Sequence, residues 1–306
     1  MTAEAGLASR AASPTRLVLR RFARHRLAVG SALVLLLLGG LSLAAPMIGW
    51  ALGHDPNTVD LLNRFSASSL VHPLGTDELG RDLLLRLLYG GRVSLFVGLV
   101  GATAAAVLGT VIGLLAGFVG GRIDMVLMRL TDTVIALPLL PLLIVLAAVD
   151  PAKLGLGGLL SGEFASLWRI LLIVALVGWT TTARLVRAST LSVRERDYVR
   201  AAVALGVGWV RIAVRHVLPN VASPIIVATT LSVGQVILTE SVLSFLGLGI
   251  QPPLPSWGNM LTGAQELIYD APWLAIYPGS LILVVVMAFN LVGDGLQDAL
   301  DPRSAH

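Results

Sequence analysis

Asp197-Tyr-Val-Arg-Ala-Ala-Val-Ala-Leu-Gly-Val-Gly-Trp-Val-Arg-Ile-Ala-Val-Arg-His-Val-Leu-Pro-Asn220 is a polar break between two very apolar segments. Arg184, Arg187, Arg194, Arg196, Arg200, Arg211 and Arg215 lie in it or just before it. Tyr198 to Leu205 is predicted to be a short helix, because Ala201, Ala202, Ala204 and Leu205 are good helix formers. Gly206 is its stop, since glycine adopts the left-handed conformation that closes a helix. A second short helix fits Trp209 to Val217, and Pro219 ends it. The break is therefore a compact helix-turn-helix set between two hydrophobic spans. Small side chains on its first helix would let another protein's groove approach the backbone closely.

The rest of the chain decides what those spans are. Of 306 residues, 56% are hydrophobic and only 13% charged, with a mean hydropathy of +0.84. That is too apolar for a soluble domain and reads as an all-α, multi-pass membrane protein. The net charge of +4 matters through where the positive residues sit, more than through any affinity for nucleic acid, which is not an expected partner. The absence of cysteine excludes disulfides, thiolate catalysis and cysteine metal sites. Arg20, Arg21, Arg24 and Arg26 precede a long apolar run without a small-residue cleavage site, so the first span is read as uncleaved.

Taken in order, residues 1–26 are an N-terminal segment. In it, Thr15 to Arg26 reads either as a basic helix on the membrane lipid or as a charged flank of the first span. That span is 27–48. Residues 49–92 form a hydrophilic loop ending His72-Pro73-Leu74-Gly75-Thr76-Asp77-Glu78-Leu79-Gly80-Arg81-Asp82. Thr76 or Asp77 is expected to cap a short interfacial helix there. His72, Asp77, Glu78 and Asp82 are either a solvated cluster or metal ligands, and no metal is assigned to them. A five-helix core, 93–295, follows. In its first helix Ala105, Gly109, Gly113 and Gly117 form a small-residue stripe that lets membrane helices pack closely. Pro138 and Pro141 are expected to kink the next span, about 125–149. Asp132 there is predicted either to pair with Arg129 or to serve function. The fourth span is 168–186, the fifth 222–247 and the sixth 274–292, with a tail over 296–306. On the fifth span Ser232, Gln235 and Thr239 share a stripe with Glu240 beside it. They line a path or bond neighbouring helices.

Six spans put both termini on one side. With that side inside, 16 of the 22 lysines and arginines fall on cytoplasmic segments, so the orientation is N-inside and C-inside. The polar break, 187–220, is then cytoplasmic.

The break resembles the cytoplasmic loop of inner-membrane permeases of binding-protein-dependent ABC importers. That family's pattern is Glu-Ala-Ala, three residues, Gly, nine residues, Ile, one residue, Leu-Pro. Ala201, Ala202, Gly206, Leu218 and Pro219 match at that spacing, while Arg200 stands in place of Glu and His216 in place of Ile. Gly75-Thr76-Asp77-Glu78-Leu79-Gly80-Arg81-Asp82 and the run from Glu240 through Gly258 are similar to segments of C-type permeases of the dipeptide, oligopeptide and nickel subfamily. The resemblance implies a type I ABC importer permease fold in the bacterial inner membrane. It implies that Arg200, Ala201, Ala202, Leu205, Gly206, His216, Leu218 and Pro219 dock into an ATPase cleft. It further implies a second homologous permease, two ATP-binding cassette subunits and an extracytoplasmic binding protein as partners. Dipeptides or oligopeptides are the first substrates to expect, nickel or another small solute the alternative.

The chain has no phosphate-cradling Gly-x-x-x-x-Gly-Lys-Ser/Thr loop. It is therefore read as a transport subunit and not an enzyme, with no cofactor of its own and with ATP and Mg bound by partners. An intramembrane hydrolase would need a Ser, His and acid set, and no His lies in any predicted span. An ion channel or ion-coupled carrier accommodates Glu240 and Asp132 but leaves the docking loop unused.

Overall fold

The computed structural model describes residues 14–149, 162, 164–264 and 266–301. Expectations that fall on residues 1–13, on the segment around Lys153 and on 302–306 lie outside the described residues. Among those described, the fold is helical, apart from a single β-bridge between Thr76 and Asp82.

Helix α1 (Pro14–Phe22) leads into α2 (Arg26–Leu43), capped by His25, whose Nδ1 accepts from the Ala28 N–H. The first span stops earlier than hydropathy suggests. Ala44 closes α2, and a separate helix α3 (Ala45–Leu52) carries the apolar run onward to Gly53.

Helix α4 runs unbroken from Leu83 to Val119. Its 37 residues span about 55 Å, well over the ~30 Å of a bilayer's hydrocarbon core. The short interfacial helix expected before it is thus its first turns. Asp82 caps it, accepting from Leu85 N–H at 2.8 Å, while Thr76 and Asp77 serve the loop. Gly90 and Gly91 do not interrupt the helix, because in apolar surroundings a broken ladder would strand backbone groups.

Gly120 ends α4, and α5 (Gly121–Ala136) begins at once. The third span does not merely kink. α5 and α6 (Leu139–Ala148) meet at 93°. Pro138 forces Leu137 into extended backbone by steric clash, which terminates α5. Pro141 sits in the first turn of α6, where a missing N–H costs nothing.

Helix α7 (Ala165–Arg194) lies against α4 in a parallel sense. A Cβ added at Gly101 would meet Val174 and Leu171, at Gly109 Trp179 and Thr182, at Gly113 Ala183 and Val186, and at Gly117 Thr190. The small-residue stripe read from the sequence is therefore the α4–α7 seam. Because α4 and α7 run the same way, the chain must recross between them. The bent α5–α6 pair makes that crossing. Five continuous spans and one broken one result.

Helix α8 (Asp197–Ala204) and α9 (Trp209–Ile212) form the polar break. Pro219 does not end α9. A π turn over Ala213–Val217 joins α9 directly to α10 (Leu218–Phe245), and the two cross as one span, Trp209–Phe245. Proline lacks an N–H and crowds the carbonyl four residues back. The wider π turn ahead of Pro219 relieves both. Pro224 lies inside α10.

Helix α11 (Trp273–Leu300) closes the bundle against α10 and α2. Its end meets α1. Arg21 Nη1 donates to the Asp301 carbonyl at 3.1 Å, and Gly295 leaves room for Phe22 and Ala28. The main core, including Val97, Ile170, Ile237 and Trp257, sits among α4, α7, α10 and α11.

Candidate functional site

The polar break folds as two short helices over a small core of its own. Val193, Val199, Ala202, Ile212, Val217 and Val221 pack there with Leu114 and Phe118 from the end of α4. Gly206 ends α8 at φ +75. Its N–H bonds to Val203 O, and Val207 N–H to Ala202 O, the paired bonds that satisfy a helix end closed by a left-handed residue. The stop predicted at Gly206 is thus present in full.

Ala201 and Ala202 do not form one outward face. Ala201 is exposed, while Ala202 turns into the small core. What faces outward is larger and more apolar. Leu205, Trp209, Val210 and Val214 are each at least half exposed. Trp209, Val210 and Val214, with Gly206, Pro219, Arg211 and Arg215, border an open groove of about 1060 Å³, and Leu205 stands exposed beside Gly206. An apolar patch of this kind on a polar turn is open to contact with a protein or with lipid. His216, half-buried, lies 6.4 Å from the Tyr198 ring between centroids, which brings the π turn Ala213–Val217 beside α8. Leu218 is partly buried under the turn, and Pro219 is exposed.

Four of the seven arginines near the break are used inside the chain. Arg187 holds Asp124 of α5 through two bonds of 2.5 and 2.6 Å. Arg184 reaches Asp132 at 2.5 Å, so Asp132 pairs across helices and not with Arg129. Arg194 donates to Phe118 O at 2.9 Å. Arg200 pairs with Glu195, and this neighbouring guanidinium holds the Glu195 carboxyl below its ordinary range.

Ser232, Gln235 and Thr239 come together, as their spacing predicts. They line a cavity of about 1040 Å³ between α10, α7, the α5–α6 corner and the end of α11. Thr180, Thr181, Asn220 and Ser223 add polar groups that sequence reading missed. Polar residues scattered over two distant helices show no shared spacing that could have found them. Ser232 and Thr239 hydroxyls donate to the carbonyls of Ala228 and Gln235 one turn back, and their lone pairs remain for a solute.

Glu240 does not belong to this cavity. It is wholly buried on an adjoining face of α10, toward α4. Its carboxylate accepts from Ser244 Oγ at 2.7 Å and Ser94 Oγ at 3.2 Å. Placing it beside the stripe was correct along the helix and wrong around it.

The loop before α4 is also tightly bonded. Asp77 accepts from the Leu79 and Arg81 N–H groups and from Arg81 Nε at 2.7 Å, with Arg86 Nε at 3.4 Å. Asp82 Oδ2 lies 2.9 Å from His72 Nδ1. These acids hold the loop together. Among the described residues no three His, Cys, Asp or Glu side chains are grouped as metal ligands would be.

Comparison with known proteins sharpens these observations. The family described as "binding-protein-dependent transport system inner membrane component" matches residues 109–306. The "N-terminal TM domain of oligopeptide transport permease C" matches residues 13–68. The chain is 38% identical over 293 residues to the dipeptide transport system permease protein DppC of Alkalihalophilus pseudofirmus, covering 96% of this chain and 91% of that one. It is 36% identical over 283 residues to the oligopeptide transport system permease protein OppC of Bacillus subtilis, covering 92% and 88%. It is 40% identical over 302 residues to the di/tripeptide transport system permease protein DppC of Pseudomonas aeruginosa, covering 95% and 93%.

Proposed function

Because the chain belongs to the family of binding-protein-dependent transport system inner membrane components, we infer that it is the multi-pass inner-membrane permease subunit of a peptide ABC importer. The observation that carries this reading is likeness to dipeptide and oligopeptide permeases over more than nine-tenths of the chain.

The remaining parts are our proposal. The turn Asp197–Asn220 faces the cytoplasm, where its groove takes a helix or loop of an ATP-binding cassette subunit. The exposed Leu205, Trp209, Val210 and Val214 support that role, since water-exposed apolar surface of this size favours burial by a partner. ATP and Mg bind to two such subunits and not to this chain. A second homologous permease completes the path. An extracytoplasmic binding protein delivers peptide to the side where α10 ends and α11 begins. Ser232, Gln235 and Thr239 form this subunit's share of the path. Their neutral hydroxyl and amide groups suit peptide bonds, which donate and accept but carry no charge.

The function is tested by reconstituting the chain with its three kinds of partner in liposomes and measuring ATP-dependent uptake of labelled dipeptides. Leu205→Ser is expected to lower uptake and ATPase co-purification together. Uptake of nickel without uptake of any peptide would overturn the substrate assignment.

A further inference from the structure

Glu240 touches neither the cavity nor the docking turn, yet the interior keeps it. A buried carboxyl costs several kcal/mol unless it is bonded, and its bonds lead to one place. Ser244 Oγ donates to Glu240 Oε1 at 2.7 Å and accepts the Ile250 N–H at 2.9 Å. Ser94 Oγ, on α4, lies 3.2 Å from Glu240 Oε2 and accepts the Trp257 N–H at 3.2 Å. Each hydroxyl has a single proton. With one lone pair engaged by the loop N–H, each hydroxyl is free to turn its proton to Glu240, Ser244 at Oε1 and Ser94 at Oε2.

The segment held by these two relays is Ile250 to Asn259, at the end of α10 opposite the docking turn. It is stiff in its own right. Asn259 accepts from Ser256 N–H at 2.9 Å and donates to Leu254 O at 2.8 Å. Trp257 is 1% exposed, and its Nε1 donates to Leu87 O at 2.9 Å. Its backbone lies directly on both helices. A Cβ at Gly90 would come within 3.2 Å of Ser256 C, and one at Gly258 within 2.5 Å of Ser241 Cα. Within the same turn of α10, Val236 and Thr239 line the cavity.

We propose that Glu240 is a positioning residue that latches the Ile250–Asn259 loop to α10 and α4, so that the loop moves as one body with the cavity wall. The inference rests on the permease reading, in which α10 moves between open and closed cavities. The loop then reports the state of the cavity to whatever docks on that side of the membrane, and passes docking there back to α10. The alternative is a loop that detaches in one of the two states.

The test uses the full complex with its binding protein, in lipid nanodiscs. Hydrogen exchange of segment 250–259 is followed at rest and with ATP trapped, beside basal and binding-protein-stimulated ATP hydrolysis. In the unmodified chain the Ile250 and Trp257 amides should be equally protected in both states. Ser94→Ala removes one relay, and should speed exchange of the segment about tenfold, the effect of one lost hydrogen bond. Stimulated hydrolysis should fall with it while basal hydrolysis holds. Glu240→Gln keeps one acceptor and should fall between Ser94→Ala and Glu240→Ala. A purely structural defect would lower both hydrolysis rates together, and would overturn the proposal. So would loss of protection in only one nucleotide state, or unmodified exchange and stimulation in both Ser94→Ala and Glu240→Gln. Those two variants decide the matter even where Glu240→Ala fails to assemble. Absence of any stimulation in the unmodified complex would count against the permease reading, while exchange alone would still decide the latch.

Discussion

Gly113→Ala adds one methyl group at the centre of the α4–α7 seam. The new Cβ would lie 2.6 Å from Ala183 O, 2.8 Å from Val186 Cβ and 3.0 Å from Arg187 N. Ordinary contact begins near 3.4 Å, so α7 must retreat by about 0.8 Å. The obstacle is backbone, which cannot rotate away as a side-chain tip can. Nor can α7 move at one point alone, because it lies equally close at Gly109 and Gly117, where an added Cβ would come within 2.5 and 2.8 Å of it. Overpacking of this kind costs about 1–3 kcal/mol. The same substitution at Gly39, where nothing lies within 4 Å, carries no such penalty and gains up to ~1 kcal/mol of helix propensity. Propensity is common to both variants, so the difference between them isolates the seam. Unfolding of the purified subunit in mild detergent, titrated with a denaturing one, should place Gly113→Ala about 1–3 kcal/mol below Gly39→Ala. Equal stabilities for the two variants would refute the parallel α4–α7 packing from which the six-crossing path follows.

Reporter fusions at Val207 and Pro253 should read from opposite sides of the membrane, the first cytoplasmic, since the two positions flank the single span Trp209–Phe245; same-side signals would contradict this. In this cysteine-free chain, single cysteines at Gln235 and Thr239 should react with water-soluble thiol reagents. One at Glu240 should not, and one at Leu238, on the far apolar face, should react only with lipid-soluble reagents. Arg187→Asp should destabilise the α5–α7 contact by about 1–2 kcal/mol, allowing for partial solvent screening. Adding Asp124→Arg should restore most of the loss in a thermal unfolding assay, and no recovery would mean the pair is incidental. Ala202→Trp should unfold the turn's small core, because Ala202 points inward. Leu205→Ser, on the outer face, should weaken ATPase binding in a pull-down while leaving the turn's protection from proteolysis unchanged.

Local patterns made much of this protein legible without coordinates. Hydropathy marked the crossings, since each must satisfy its own backbone hydrogen bonds within an apolar stretch. The four-residue recurrence of Ala105, Gly109, Gly113 and Gly117 marked the seam, and Gly206 marked the end of α8. Each of these signals is complete within one continuous stretch of chain. Side chains whose meaning depends on a distant partner were not legible. Asp132 has an arginine three residues before it, but the guanidinium that reaches it belongs to Arg184, 52 positions on. Ala202 has the same composition as Ala201 and the opposite exposure. Pro138 breaks a span while Pro219 is absorbed, because only the second is preceded by a π turn. Glu240 sits one residue from Thr239, about 100° around the helix, and that rotation takes it out of the cavity and into the bonds that hold the Trp257 loop. A helix's periodicity says which residues share a face. Only the packing of its neighbours decides what that face meets.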